Sequence, residues 1–241
     1  MKTQTLEYRH DGVACQGYLA VPEVAEPRPG VLIIHEAPGL DDHPKMRARM
    51  IAELGYVALA ADLYGGGKVA GSGPEALSMM DELRADHPRL LSRIRASLDV
   101  LAAQPGVNRQ QLAAMGYCFG GFCVLELARS GAPVKGVASF HGLLQTPNPA
   151  VAGKVKARIL VCTGAEDPLV PADHVLAFEQ EMSRAGVDWQ VIAYSGAKHA
   201  FTNRAADQIP MPGFGYSPSA DQRSWNAMQS FYSELFGTPA A

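Results

Sequence analysis

The sequence predicts an α/β protein: a mostly parallel central sheet with helices on both faces, preceded by an N-terminal antiparallel hairpin. Three observations carry that expectation. From residue 30 onward, short apolar runs alternate with segments of helical spacing, and such alternation needs crossover connections between parallel strands. The runs, such as Gly30-Val31-Leu32-Ile33-Ile34-His35, are continuous rather than alternating, as in strands buried on both faces. Ahead of them, residues 3–9 and 16–21 read as two strands joined by a turn at His10-Asp11-Gly12.

The elements follow in order. Residues 23–29 form a loop rich in proline and charge. Residues 43–54 have helical spacing that Gly55 ends, and residues 56–61 are the next buried strand, running into Asp62-Leu63-Tyr64. The stretch 65–74 is a flexible, glycine-rich loop; its GGGK start lacks the spacing and the Ser/Thr of a phosphate-binding loop. Helical patterns cover 74–84 and 88–103. The apolar run Leu112-Ala113-Ala114 leads through Met115 into a sharp turn and a helix over 122–129. Strands are expected at 134–140, 158–163 and 189–194, helices at 171–185 and 219–236, and a loop at 146–153.

Composition narrows the function. A chain of 241 residues suits one domain spanning 1–241, with ample length to bury a core. A hydrophobic fraction of 47% with 19% charged residues is ordinary for a globular protein, and a net charge of -3 without a basic cluster excludes a nucleic-acid partner. Residues 1–6 hold no apolar signal region, and no apolar run approaches the roughly 20 residues that cross a bilayer. No membrane partner is expected, and the cytoplasm is the expected location. Cys15, Cys118, Cys123 and Cys162 show neither a CxxC nor a paired metal spacing. They read as free thiols, with no metal and no cofactor implied.

The chemistry gathers after strand ends, where ligands of such sheets bind. Gly116-Tyr117-Cys118-Phe119-Gly120 is a G-x-C-x-G turn between a strand and a helix, a nucleophile elbow with a thiol in the serine position. Glycines give the room that so tight a bend needs, and the helix N-terminus beyond favours a thiolate and later an oxyanion. After the strand ending at Thr163 comes Gly164-Ala165-Glu166-Asp167-Pro168. Asp167 is chosen over Glu166 as the acid that orients a histidine, because Pro168 fixes the backbone after it. Asp173 reads as an acidic opening of the next helix. After the last strand, His199 stands between small residues in Ala197-Lys198-His199-Ala200-Phe201. The order nucleophile, acid, histidine, each past its own strand, is that of α/β-hydrolases. The fourth piece is His35-Glu36-Ala37-Pro38-Gly39. A zinc motif fails there, because position 39 is glycine and the segment is strand-to-loop. The amides of Ala37 and Phe119 are the expected oxyanion donors, with Glu36 placed to take or share the thiol proton.

Taken together, Ile34-His35-Glu36-Ala37-Pro38-Gly39, Ala61-Asp62-Leu63-Tyr64, the cysteine elbow, Gly164-Ala165-Glu166-Asp167-Pro168 and Lys198-His199-Ala200-Phe201 resemble the dienelactone hydrolase family of α/β-hydrolases. The resemblance runs over nearly the whole chain. It implies a triad of Cys118, Asp167 and His199, and for Glu36 a gating role in making the thiolate when substrate arrives. It also implies substrate contacts, which here fall on Tyr64, Arg84, Phe201 and Arg204. The arginine clamp departs from the family. Family members carry His-x-Phe-x-Arg, whereas here Asn203 stands in the arginine place with Arg204 one position late. The segment after Tyr64 is glycine-rich, and its nearest clear arginine is Arg84. That shift points to an uncharged or larger ester, lactone or thioester.

The resulting expectation is a cysteine-dependent hydrolase of a small lactone or carboxylic ester, acting as a monomer or homodimer. A thioesterase or general carboxylesterase on the same site is the alternative, and a non-catalytic ligand-binding protein on the hydrolase fold is the alternative of another class. His141, after the strand ending at Phe140, reads first as a loop histidine, with a rim residue as the alternative. Met79 and Met80 read as packing residues of a cap-like helix.

Overall fold

The computed structural model describes residues 1–237, which fall into two compact units that meet in sequence at Met115 and Gly116. The first unit opens with the expected hairpin, β1 (Lys2–His10) and β2 (Val13–Val21), paired antiparallel with Asp11 and Gly12 in the turn. Both turn residues have positive φ, at 48° and 77°. Then come β3 (Arg28–Ile34), α1 (Asp42–Glu53), β4 (Val57–Ala60), α2 (Gly73–Ala85), α3 (His87–Ala102) and β5 (Val107–Tyr117), whose last two residues lie past the unit boundary. The strand order in this unit is β1-β2-β4-β3-β5, with β3 parallel to β4 and β2 antiparallel to it. Residues 31–34 of β3 are wholly buried, as their unbroken apolar run requires.

Each helix start has a local cause. The Asp41 carboxylate accepts from the His43 N–H ahead of α1, Ser72 caps α2, and Asp86 accepts from the Arg89 N–H of α3. Proline stands at the start of α2 and α3, where its missing N–H costs nothing.

The second unit contains α4 (Phe119–Arg129), β6 (Gly136–Phe140), β7 (Arg158–Gly164), α5 (Ala172–Arg184), β8 (Trp189–Tyr194), a short 3-10 helix (Arg204–Gln208) and α6 (Pro218–Phe236). The strands β6, β7 and β8 are parallel neighbours. Helices cover both faces here. A Cβ on Gly136 would meet Phe231 of α6, while the Ser139 side chain faces Gly121 of α4. Positions an odd number apart on a strand point to opposite faces, so α4 and α6 lie on opposite sides.

Two elements differ from expectation. The elbow helix starts at Phe119, immediately after Cys118, rather than at 122. Gly120 and Gly121 are helical, and the small size of Gly121 serves close packing rather than a longer turn. The 3-10 helix was not expected from the sequence; the Asn203 side chain nucleates it by accepting from the Ala205 N–H. No helix of the described residues is long and apolar enough to cross a membrane.

Candidate active site

Cys118 has φ 52° and ψ −113°, a backbone conformation that side chains avoid. The glycines around it make that bend possible. A Cβ at Gly116 would land on the Gly120 carbonyl, and one at Gly121 would sit 2.7 Å from Ser139 Oγ and 2.8 Å from the Gly142 Cα. The Cys118 N–H is tied to the Phe140 carbonyl at 3.0 Å and to His141 Nδ1 at 3.1 Å. Cys118 is half-buried, whereas Cys15, Cys123 and Cys162 are buried. Burial pushes the Cys15 thiol up, and the Cys162 thiol up to about 12.

Asp167 follows β7 and is buried, with Glu166 beside it exposed. One carboxylate oxygen accepts from the Leu169 N–H at 2.8 Å; the other lies 2.8 Å from His199 Nδ1. The loops that carry acid and histidine are joined through the backbone. Glu166 N–H donates to the Ala197 carbonyl at 2.9 Å, and a Cβ on Gly164 would overlap that carbonyl. His199 itself is clasped from beyond: its N–H donates to the Gly213 carbonyl at 2.9 Å, and its carbonyl accepts from the Gly215 N–H at 3.1 Å. The Phe214 ring lies against the imidazole, centroids 4.7 Å apart.

The buried Nε2 of His199 makes no hydrogen bond of strict geometry, and the group that acts on it is the Cys118 side chain. Burial pulls the imidazole pKa down. The negative charge of Cys118 and the Asp167 hydrogen bond pull it up, and the balance is about 10. The structure thus brings together Cys118, Asp167 and His199.

The first unit holds the His-Glu segment. Leu63 N–H donates to His35 Nε2 at 3.3 Å, so the ring proton is on Nδ1, which bonds the Glu36 carbonyl at 2.6 Å. Burial pushes the His35 pKa down, in keeping with a neutral ring. Gly39 N–H also donates to the Glu36 carbonyl, at 3.2 Å. In a trans peptide the N–H points opposite the carbonyl, so these bonds turn the Ala37 amide away from His35. Tyr64 donates its hydroxyl to the Ala37 carbonyl at 2.8 Å. The Glu36 carboxylate is buried, 3.1 Å from His43 Nδ1, and Arg47 Nε donates to His43 Nε2 at 3.3 Å. The acid is held by a histidine backed by an arginine.

A sequence model of the dienelactone hydrolase family matches residues 15–236, which is most of the chain. The chain belongs to the dienelactone hydrolase family. Among solved structures it is similar to m3DLH, at 42% identity with a TM-score of 0.92 and 98% of each chain covered. It is also similar to a dienelactone hydrolase-like promiscuous phosphotriesterase from metagenomic libraries, at 40% identity and a TM-score of 0.93, covering 98% of this chain and 99% of that one. A Synechocystis protein provisionally named carboxymethylenebutenolidase is 27% identical, over 98% of both chains. Family membership makes the chain an α/β-hydrolase-fold hydrolase.

Three of the expected substrate contacts have different surroundings. Phe201 is fully buried, its ring 5.2 Å from His141 and 5.6 Å from Tyr194. Arg204 is exposed in the 3-10 helix, its guanidinium 6.0 Å over the Tyr216 ring. Arg84 is half-buried in the last turn of α2, in the first unit. Sequence reasoning read His141 first as a loop histidine. It is wholly buried with φ 41°, and its Nε2 lies 2.8 Å from Thr202 Oγ1. The only sequence signal for it was a histidine followed by glycine at a strand end.

Proposed function

We propose that the chain is a cysteine-dependent hydrolase that cleaves a lactone or small carboxylic ester through a Cys118–His199–Asp167 triad and an acyl-enzyme. The observation that carries the reading is a half-exposed thiol at the head of a helix, coupled by charge to an imidazole whose far nitrogen is held by a buried carboxylate. With its proton on His199, the sulfur attacks the carbonyl carbon and the carbonyl electrons move onto oxygen. The Phe119 amide at the start of α4 receives that oxyanion. Its collapse breaks the C–O bond, and the alkoxide takes the proton from His199 Nε2. Water then gives a proton to the same nitrogen and attacks the thioester, and the thiolate leaves. Asp167 keeps Nε2 facing the sulfur throughout. Glu36 keeps its carboxylate against His43, which Arg47 backs. Tyr64 shapes the Ala37 loop. The shifted arginines favour an uncharged ester over a charged lactone.

The test pairs two measurements. Hydrolysis of p-nitrophenyl acetate is followed for the wild type and Cys118→Ala, and iodoacetamide labelling is mapped by peptide. The expected result is loss of turnover in the variant and alkylation of Cys118 well ahead of Cys15. Equal labelling of the two thiols with turnover intact defeats the mechanism.

A second reading is favoured by the 40% identity to the promiscuous phosphotriesterase. The same thiolate attacks the phosphorus of an aryl phosphotriester and expels the aryloxide, and water then cleaves the P–S bond. Release of p-nitrophenol from diethyl p-nitrophenyl phosphate, absent in Cys118→Ala, supports it. An inert triester beside an active ester removes it.

A further inference from the structure

We propose that His141 is a positioning residue of this site: it ties the elbow to the loop carrying His199 and keeps the exchangeable proton on His199 alone. The proposal rests on the reading of Cys118 and His199 as the reacting pair. His141 Nδ1 accepts from the Cys118 N–H at 3.1 Å, so that nitrogen carries no proton. The neutral ring therefore has its proton on Nε2, which donates to Thr202 Oγ1 at 2.8 Å. Thr202 is three residues past His199, so one side chain spans from the nucleophile's own amide to the chain bearing the base.

The ring's neighbours hold it neutral. His199 lies edge-on with centroids 5.3 Å apart, Tyr117 at 6.0 Å and Phe201 at 5.2 Å. A second proton on His141 would set an N–H against the Cys118 N–H and a cation beside protonated His199, with both rings wholly buried or nearly so. The two histidines thus have opposite assignments: one accepts through Nδ1 and stays neutral, the other donates through Nδ1 and carries the charge. Filling space would need no imidazole, since Tyr117, Phe140 and Phe201 already supply apolar surface there. The left-handed backbone at His141, with Gly142 pressed against Gly121 and Ser139, fixes where the ring stands.

The two amide variants separate positioning from packing. In His141→Asn the side-chain oxygen takes the place of Nδ1 and keeps the bond from Cys118; in His141→Gln the polar atoms reach only the Nε2 end. For p-nitrophenyl acetate, His141→Gln is expected to lower kcat roughly tenfold to hundredfold with KM unchanged, and His141→Asn only about threefold. The rate of Cys118 alkylation across about pH 5–9 is expected to fall in the same order, since it reads the thiolate and not turnover. Equal effects of the two variants, or a His141→Gln protein with wild-type kcat and alkylation profile, overturn the proposal. Should His141→Gln fail to fold, Thr202→Val against Thr202→Ser decides it: valine must slow alkylation and serine restore it, and equal rates overturn it. Full activity in Cys118→Ala defeats the triad and this proposal together; a dead Cys118→Ala with indistinguishable amide variants defeats only the role of His141.

Discussion

His199 feels two opposing influences. Burial pulls its pKa down, while the charge of Cys118 and the hydrogen bond of Asp167 raise it to about 10. A folded value above the unfolded value of roughly 6.5 means the protonated ring adds stability that is complete below that pH and fades as pH rises through about 10. Cys118→Ala removes the largest upward contribution. The imidazole is therefore expected to titrate at lower pH in the variant, read by 1H–15N NMR of the ring nitrogens, and an unmoved midpoint would show that the sulfur does not act on it. Asp167→Asn should preserve the Leu169 bond yet offer His199 the wrong partner, and kcat is expected to drop roughly 10³- to 10⁴-fold. A fall of less than tenfold in steady-state assays would remove the acid from the triad. At this scale the sequence was legible where local chemistry repeats: a thiol between glycines, an acid before proline, a histidine among small residues. It was not legible for His141, whose role lies in accepting a bond across a span of 23 residues.

Between β5 and α4 the backbone passes so close to its neighbours that side chains have no room. Gly121 and Gly142 face each other across Ser139, and the atoms a Cβ would strike at Gly121 include Gly142 backbone, which cannot rotate aside. Gly121→Ala is expected to cost about 1–3 kcal/mol in urea unfolding, with kcat reduced as the elbow shifts. Unchanged stability would mean the two segments separate easily. The order of strands and helices was readable from periodicity, because most buried strands are apolar runs and every helix but α4 begins at a capping side chain or a proline. Helix α4 was placed late because two adjacent glycines read as turn on propensity, whereas here the smallness of Gly121 matters for packing. The 3-10 helix Arg204–Gln208 escaped because its start depends on one asparagine side chain and not on any apolar spacing.

For the molecule as a whole, family membership fixes the fold and the reaction class. The guanidinium of Arg204 rests over Tyr216 and the residue is exposed. Arg204→Ala is expected to change kcat/KM for an uncharged aryl ester by less than about twofold, as surface charge pairs contribute little. A tenfold loss confined to carboxylate-bearing lactones would instead restore the arginine clamp. Cys15, Cys123 and Cys162 are buried, which leaves Cys118 as the accessible thiol among the described residues.

The clasp on His199 has a bearing on how such an enzyme is altered. The base takes its bearings from Gly213 and Gly215, so its aim is set by a strap that closes well downstream, past the exposed Ile209 and Met211. Cutting that strap with trypsin after the exposed Arg204 should silence turnover long before the fold gives way. Lengthening or shortening it offers a dial for reactivity that leaves the reacting atoms untouched.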